Sequence, residues 1–220
     1  DPDDPGSLSL PLPGTVTTVA RLANLPPQLG WLGGFFDERA DEEARGAVAT
    51  AVATWEAAGG AVCRPGLPPG FADVLEHHRI VLVAGLAANH AEYFPGHADE
   101  YPVGLAGLIR EGLEFPMTRF IAARRHQRVL QREILACFND CDVLVCPAAT
   151  GAAPDRSTTG DPAMNAPWSY TGLPTVSFPV GRSSEGLPLA VQLVGRPRGE
   201  AALFAAAAWC EETLIDSLSS

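Results

Sequence analysis

A chain of 220 residues with 46% apolar and 19% charged residues is too hydrophobic for a disordered tail, and a domain of that length buries roughly 70% of its unfolded surface. Its formal charge of -11 repels phosphate backbones, and its arginines are interleaved with Asp and Glu, which argues against direct nucleic-acid binding. All 15 basic residues are arginine, so any mechanism that needs a lysine amine cannot be run by these residues.

The 5 cysteines are odd in number and scattered, unlike a secreted disulfide framework, and read as reduced thiols in the cytoplasm. The longest apolar runs, starting at Ile80 and Ala201, are about half the ~20 residues a bilayer span needs, so no membrane segment is expected. No signal peptide is recognisable. The first residue is Asp rather than Met, which leaves room for polypeptide upstream.

The opening DPDDPGSLSLPLP is dense in Pro, Asp, Gly and Ser, and a linker is expected over residues 1–14. From Asp37 onward Asp41, Glu42 and Glu43 suit the positive end of a helix, Ala44, Val48, Val52 and Trp55 share one face, and Gly59 ends it. A short strand, AVCR from Ala61, follows the glycine turn, giving the αβ half of a repeating α/β unit. A second helix is expected from about Phe71 to His90 and a third from about Met117 to Phe138. Between them, Pro95, Gly96, Pro102, Gly104 and Gly112 with Tyr93, Phe94 and Tyr101 read as a loop-rich segment, either a surface crossover or a pocket wall.

Val143, Leu144 and Val145 form a continuous apolar run ended by Pro147, as expected of a strand buried on both faces. The segment Asn165–Thr171 reads as a polar loop. Two further strands, PTVSFPVG from Pro174 and LAVQLVG from Leu189, are joined by the turn RSSEGLP, and an amphipathic helix runs from Glu200 to Leu214.

The residues that could carry chemistry are sparse. His77, His78, His90 and His97 share a region with Glu92 and Asp99 but lack a ligand spacing such as H-E-x-x-H, so no metal site is expected. Cys137, Cys141 and Cys146 lack C-x-x-C pairs and read as packed thiols. No G-x-S-x-G nucleophile turn is present, which leaves Ser177 as a strand residue.

The segment from Asn165 to Gly195 resembles the C-terminal block of the amidase signature family. That block runs from Asn through an apolar spacer to Gly-x-Pro, a strand ending Pro-x-Gly, a second Gly-x-Pro and a strand ending Gln-x-x-Gly. Asn165, Gly172, Pro174, Pro179, Gly181, Gly186, Pro188, Gln192 and Gly195 take those places. Upstream, DVLVCPAATGAAP resembles the family's strand and Pro-containing loop, FIAARRHQRVL its preceding helix, ATWEAAGGAV its helix, glycine turn and strand, and DPDDP its linker.

The resemblance implies an α/β amidase signature fold, a mixed β-sheet flanked by helices, with residues 15–220 forming the C-terminal part of a single amidase domain. It implies hydrolysis of a carboxamide C-N bond in the complete protein, through an acyl-serine made by a Ser, cis-Ser, Lys triad and without metal or organic cofactor. A serine hydroxyl needs a base within hydrogen-bond reach, and lysine can serve only with a lowered pKa. The Gly/Ser-rich catalytic stretch and the lysine have no counterpart here, so no catalytic residue is assigned and the chain alone is expected to be inactive. Asn165, Trp168, Tyr170, Thr171 and Gly172 are the expected substrate contacts, with a small amide as ligand. Asn165 as a mere turn residue and Gly172 as a backbone-geometry residue stay open. Two other readings also stay open: a non-catalytic amidase-like binding or scaffolding subunit, and the amidase subunit of a tRNA-dependent amidotransferase. Oligomeric state is open too, a homo-oligomer included.

Overall fold

In the computed structural model, which describes residues 25–218, five strands are present: Gln28–Trp31 (β1), Ala61–Cys63 (β2), Val143–Pro147 (β3), Thr175–Arg182 (β4) and Pro188–Val194 (β5). The helices are Glu42–Ala57 (α1), Val74–His90 (α2), Phe94–His97 (α3), Val103–Glu114 (α4), Met117–Glu133 (α5), Ala166–Thr171 (α6) and Glu200–Leu218 (α7). The expected linker over residues 1–14 lies outside the described residues.

The strands form one mixed sheet in the order β2-β1-β3-β5-β4. β1 is parallel to both β2 and β3, whereas β5 runs antiparallel to β3 and to β4. Every residue of β3 is buried, and because successive side chains point to opposite faces the strand feeds two cores. Leu144 and Cys146 enter a core with Phe36, Phe71, Leu130, Ile134 and Trp168. Val143 and Val145 enter the opposite one with Val48, Val52, Trp55, Leu193 and Leu203. Each aliphatic side chain so buried contributes about 1.5–3 kcal/mol, which makes the two-faced strand the organiser of the domain.

On one face α1 is capped by Asp41, whose side chain accepts from the Ala44 backbone N–H at 2.7 Å, and the first turn holds Glu42 and Glu43 against the positive helix end. Its buried residues Ala44, Val48, Ala51, Val52 and Trp55 face the sheet, and Gly59, at φ +100°, reverses the chain into β2. The Trp55 indole Nε1 donates to the Cys210 carbonyl at 2.8 Å, tying α1 to α7. On the other face α2 and α5 cover the sheet, each continuous with a 3-10 turn, Pro69–Asp73 before α2 and Ile134–Phe138 after α5.

Three elements differ from the sequence reading. The four-residue β1, after two prolines, is too short to declare a period. The segment read as loop-rich contains α3 and the 12-residue α4, because Ala106 and Ile109 are buried in a small core with Phe94, outweighing the glycines and the missing side-chain cap. The segment Asn165–Thr171 is largely the helix α6 rather than a polar loop.

The glycines of α4 serve two ends. A Cβ on Gly112 would lie 2.0 Å from the Val83 carbonyl oxygen, so this glycine lets α4 approach the α2 backbone, whereas nothing lies within 4 Å of a Cβ on Gly107. Opposite signs are therefore expected in one helix. In urea unfolding, Gly112→Ala should destabilise by about 1–3 kcal/mol or more through enforced separation, and Gly107→Ala should stabilise by about 0.5–1 kcal/mol through helix propensity. Equal shifts would contradict the close approach.

Candidate functional site

In an open α/β sheet ligands bind outside the carboxyl ends of the strands, and here β1, β2 and β3 end on the same side. Beyond β3 the chain forms the loop 148–161, which is pinned to the start of α1 because Asp41 N–H donates to the Thr150 carbonyl at 2.7 Å. A Cβ on Gly151 would stand 2.1 Å from Asp41 Oδ2, so only glycine lets that carboxylate lie against the loop. The resulting cleft, about 690 Å³, is lined by Arg39, Asp41, Thr150, Thr158 and Asp161 among others. Asp161 closes its far side and accepts from the Ala163 N–H at 2.9 Å, capping the short 3-10 turn Pro162–Met164.

Asn165 follows that turn, exposed, and its Nδ2 donates to the Ala148 carbonyl at 3.2 Å, which seats it at the carboxyl end of β3. The other expected contacts turn inward. Trp168 and Tyr170 are each only 1% exposed, and Thr171 is buried with its hydroxyl donating to the Pro167 carbonyl at 2.7 Å. Trp168 stacks on Phe36 with centroids 5.6 Å apart. Its Nε1 finds no oxygen or nitrogen acceptor and faces the Cys146 sulfur, a weak one. Burial pushes the Cys146 thiol up to about 12, hydrogen bonds from Gln192 and Trp168 opposing, so it is inert packing. Gly172, at φ +74°, ends α6 in the left-handed conformation, and its N–H donates to the Trp168 carbonyl. Asn165 alone of the five therefore meets solvent as a side chain, while the remaining four fix where it stands.

A residue that sequence reasoning missed anchors this segment. His126 of α5 contacts the Gly70 carbonyl through Nε2 at 2.9 Å and the Tyr170 hydroxyl through Nδ1 at 3.0 Å, and its ring stacks on His77 at 4.1 Å. Tyr170 donates its hydroxyl proton to the Ala123 carbonyl at 2.7 Å, and the Gln127 amide reaches the Tyr170 carbonyl at 2.6 Å. Burial raises the Tyr170 pKa, so the hydroxyl stays protonated and available as that donor. One histidine thus joins α2, α5, α6 and the Pro69–Asp73 turn. Its only sequence signal is a polar residue on an apolar helix face.

Gln192 was expected on the face of β5 opposite Val191 and Leu193. It is buried there and its Nε2 donates to the Met164 carbonyl at 3.0 Å, holding the Pro162–Met164 turn to the sheet. Among the described residues no three His, Cys, Asp or Glu side chains gather as a metal group, and no helix is long and apolar enough to cross a membrane.

Comparison with known proteins places these features. The family model described as Amidase matches residues 1–204. A protein named amidase AmiB2 from Mycobacterium tuberculosis is 34% identical over 57% of this chain and 33% of its own length. A glutamyl-tRNA(Gln) amidotransferase subunit of Thermosynechococcus vestitus is 27% identical over 97% of this chain and 50% of its own length. Among solved structures, one from a study of a vestigial protein complex and the origins of an s-triazine catabolic enzyme superposes with a TM-score of 0.77 at 26% identity, over 97% of this chain and 48% of that one. A 6-aminohexanoate cyclic dimer hydrolase shares the fold with a TM-score of 0.78 at 19% identity, over 97% of this chain and 50% of that one. The chain spans about half the length of these relatives or less.

The histidines beneath α6 set a pH dependence. Both His77 and His78 have pKa values lowered from 6.5, His77 by burial and then by the neighbouring His126, His78 by burial. The folded chain favours their neutral forms while the unfolded chain binds protons near 6.5, so their stabilisation is complete above that value and is lost as pH falls below it. The urea midpoint should fall between about pH 7.5 and pH 5. His77→Gln with His78→Gln should flatten that fall, and parallel curves for the two proteins would contradict the assignment.

Proposed function

The chain belongs to the amidase family, and on that premise we propose that the whole protein hydrolyses the C-N bond of a small carboxamide. A serine oxygen attacks the amide carbonyl, the C-N bond breaks with a proton going to the leaving amine, and water releases the carboxylate from the acyl-serine. The serine and the lysine base come from polypeptide outside these 220 residues, because the chain contains no lysine and no described serine hydroxyl hydrogen-bonds a histidine. Among the described residues the eight-residue β4 pairs on one side only, which leaves a place for further strands and supports the same reading.

The observation that carries the proposal is the position of Asn165, held at the carboxyl end of β3, from which the loop 148–161 runs on to line a cleft of about 690 Å³. Asn165 orients the amide through its exposed carboxamide. Trp168, Tyr170, Thr171 and Gly172 keep it there by their packing and hydrogen bonds. No metal or organic cofactor takes part in this reading, and the substrate is a small neutral amide.

The amidotransferase relative matches 97% of the chain and favours a second reading, in which the same hydrolysis supplies ammonia within a larger assembly. With a charge of -11, the chain would leave tRNA affinity to its partners.

Residues 1–220, purified and offered a panel of primary and aryl amides, should release no ammonia or amine above buffer. The product of the complete reading frame should release them, and Asn165→Ala in it should lower kcat/KM by about tenfold or more. Turnover by residues 1–220 alone would refute the division of labour, and silence of the complete product on every amide would refute the hydrolase.

A further inference from the structure

A second concavity lies at the same end of the sheet. The turns leaving β1 and β2, residues 32–36 and 64–69, diverge around a groove of about 690 Å³, and Arg39 borders both this groove and the Asp41 cleft. Its floor is apolar, made by Trp31, Phe35 and Leu67, with the buried Phe71 set edge-on to Phe35 beneath them. Gly33, Gly34 and Gly66 keep the floor low, and Pro65, Pro68 and Pro69 stiffen one wall, so little order is lost when the groove is filled.

Two guanidinium groups flank this floor. Arg64 lies over the Trp31 ring at 3.3 Å and Arg39 over the Phe35 ring at 3.8 Å, which fixes the plane of each cation. Arg39 also donates to the Phe35 carbonyl at 3.0 Å and makes one long ion pair, 3.8 Å, with the exposed Glu38. Among the described residues no carboxylate lies within ion-pair distance of Arg64. A planar cation on an aromatic ring, with its N–H fork unclaimed among the described residues and an apolar lining beside it, matches one ligand chemistry. That chemistry is a carboxylate joined to an aryl or branched alkyl body.

We propose that the Trp31–Arg64 groove binds small organic carboxylates, the anion on the Arg64 fork and the apolar body on the floor of Trp31, Phe35 and Leu67. Glu38 competes weakly for Arg39 and is released from it when the ligand enters. The proposal stands apart from the hydrolysis of amides, because binding is measured without turnover.

The test is calorimetric titration of the chain with 1-naphthoate at low ionic strength. Saturable binding is expected with a Kd of about 1 mM or tighter, the scale that a ligand of this size reaches. The neutral isostere 1-naphthamide should bind about tenfold more weakly or worse, and Arg64→Gln should weaken 1-naphthoate by a similar factor. Arg64 is exposed, so that variant keeps the fold, and Arg39→Gln, expected to weaken binding to a smaller extent, provides a second check. Absence of saturable heat would overturn the proposal, as would equal affinity for acid and amide or an unchanged Kd in Arg64→Gln. Displacement by inorganic phosphate at equal concentration would do the same, since it would mean an anion site with no use for the apolar floor.

Discussion

β3 is hemmed in on four sides, by helices above and below and by β1 and β5 at its flanks. A strand in that position has no polar face to offer water, so its sequence must be apolar throughout, and its backbone groups must all be paired by neighbours. Everything attached to its carboxyl end inherits that rigidity. The loop 148–161, the Asp41 cap that fastens it, and the Asn165 amide that reaches Ala148 all take their positions from a segment that cannot shift without disturbing two cores at once.

The site region follows a division between what is presented and what supports it. Along α6 and its cap the solvent sees Asn165 and Ser169, while Trp168, Tyr170 and Thr171 spend their bulk and their hydrogen bonds on the interior. His126 is the joint of that support, gathering a turn, two helices and the Tyr170 hydroxyl around one ring. An arrangement of this kind places an exposed side chain accurately from behind, through residues buried beneath it.

What was legible in the sequence tracks how local each cause is. The apolar run of β3, the acidic start and glycine end of α1, and the strands β4 and β5 with their Gly and Pro punctuation are encoded within their own residues, and they stand where the pattern puts them. The block Asn165–Gly195 also carried the family, which the match over residues 1–204 establishes. The helix α4 was not legible because its helicity depends on Ala106 and Ile109 finding a distant core and on Gly112 finding the α2 backbone. The inward orientation of Trp168 and Tyr170 was hidden for the same reason. Their partners Phe36, Phe71, Ala123 and His126 lie far away along the chain, and proximity to Pro167 in a polar-looking stretch pointed the other way.

The character of β4 bears on how such a protein behaves when concentrated. Its outer margin, unpaired among the described residues, could in principle recruit identical margins from other copies and grow into filaments. Pro179 has no N–H to lend to a growing ladder, and the irregular register between Pro179 and Gly181 interrupts the strand close to its midpoint. The margin can therefore welcome one tailored neighbour while resisting endless repetition.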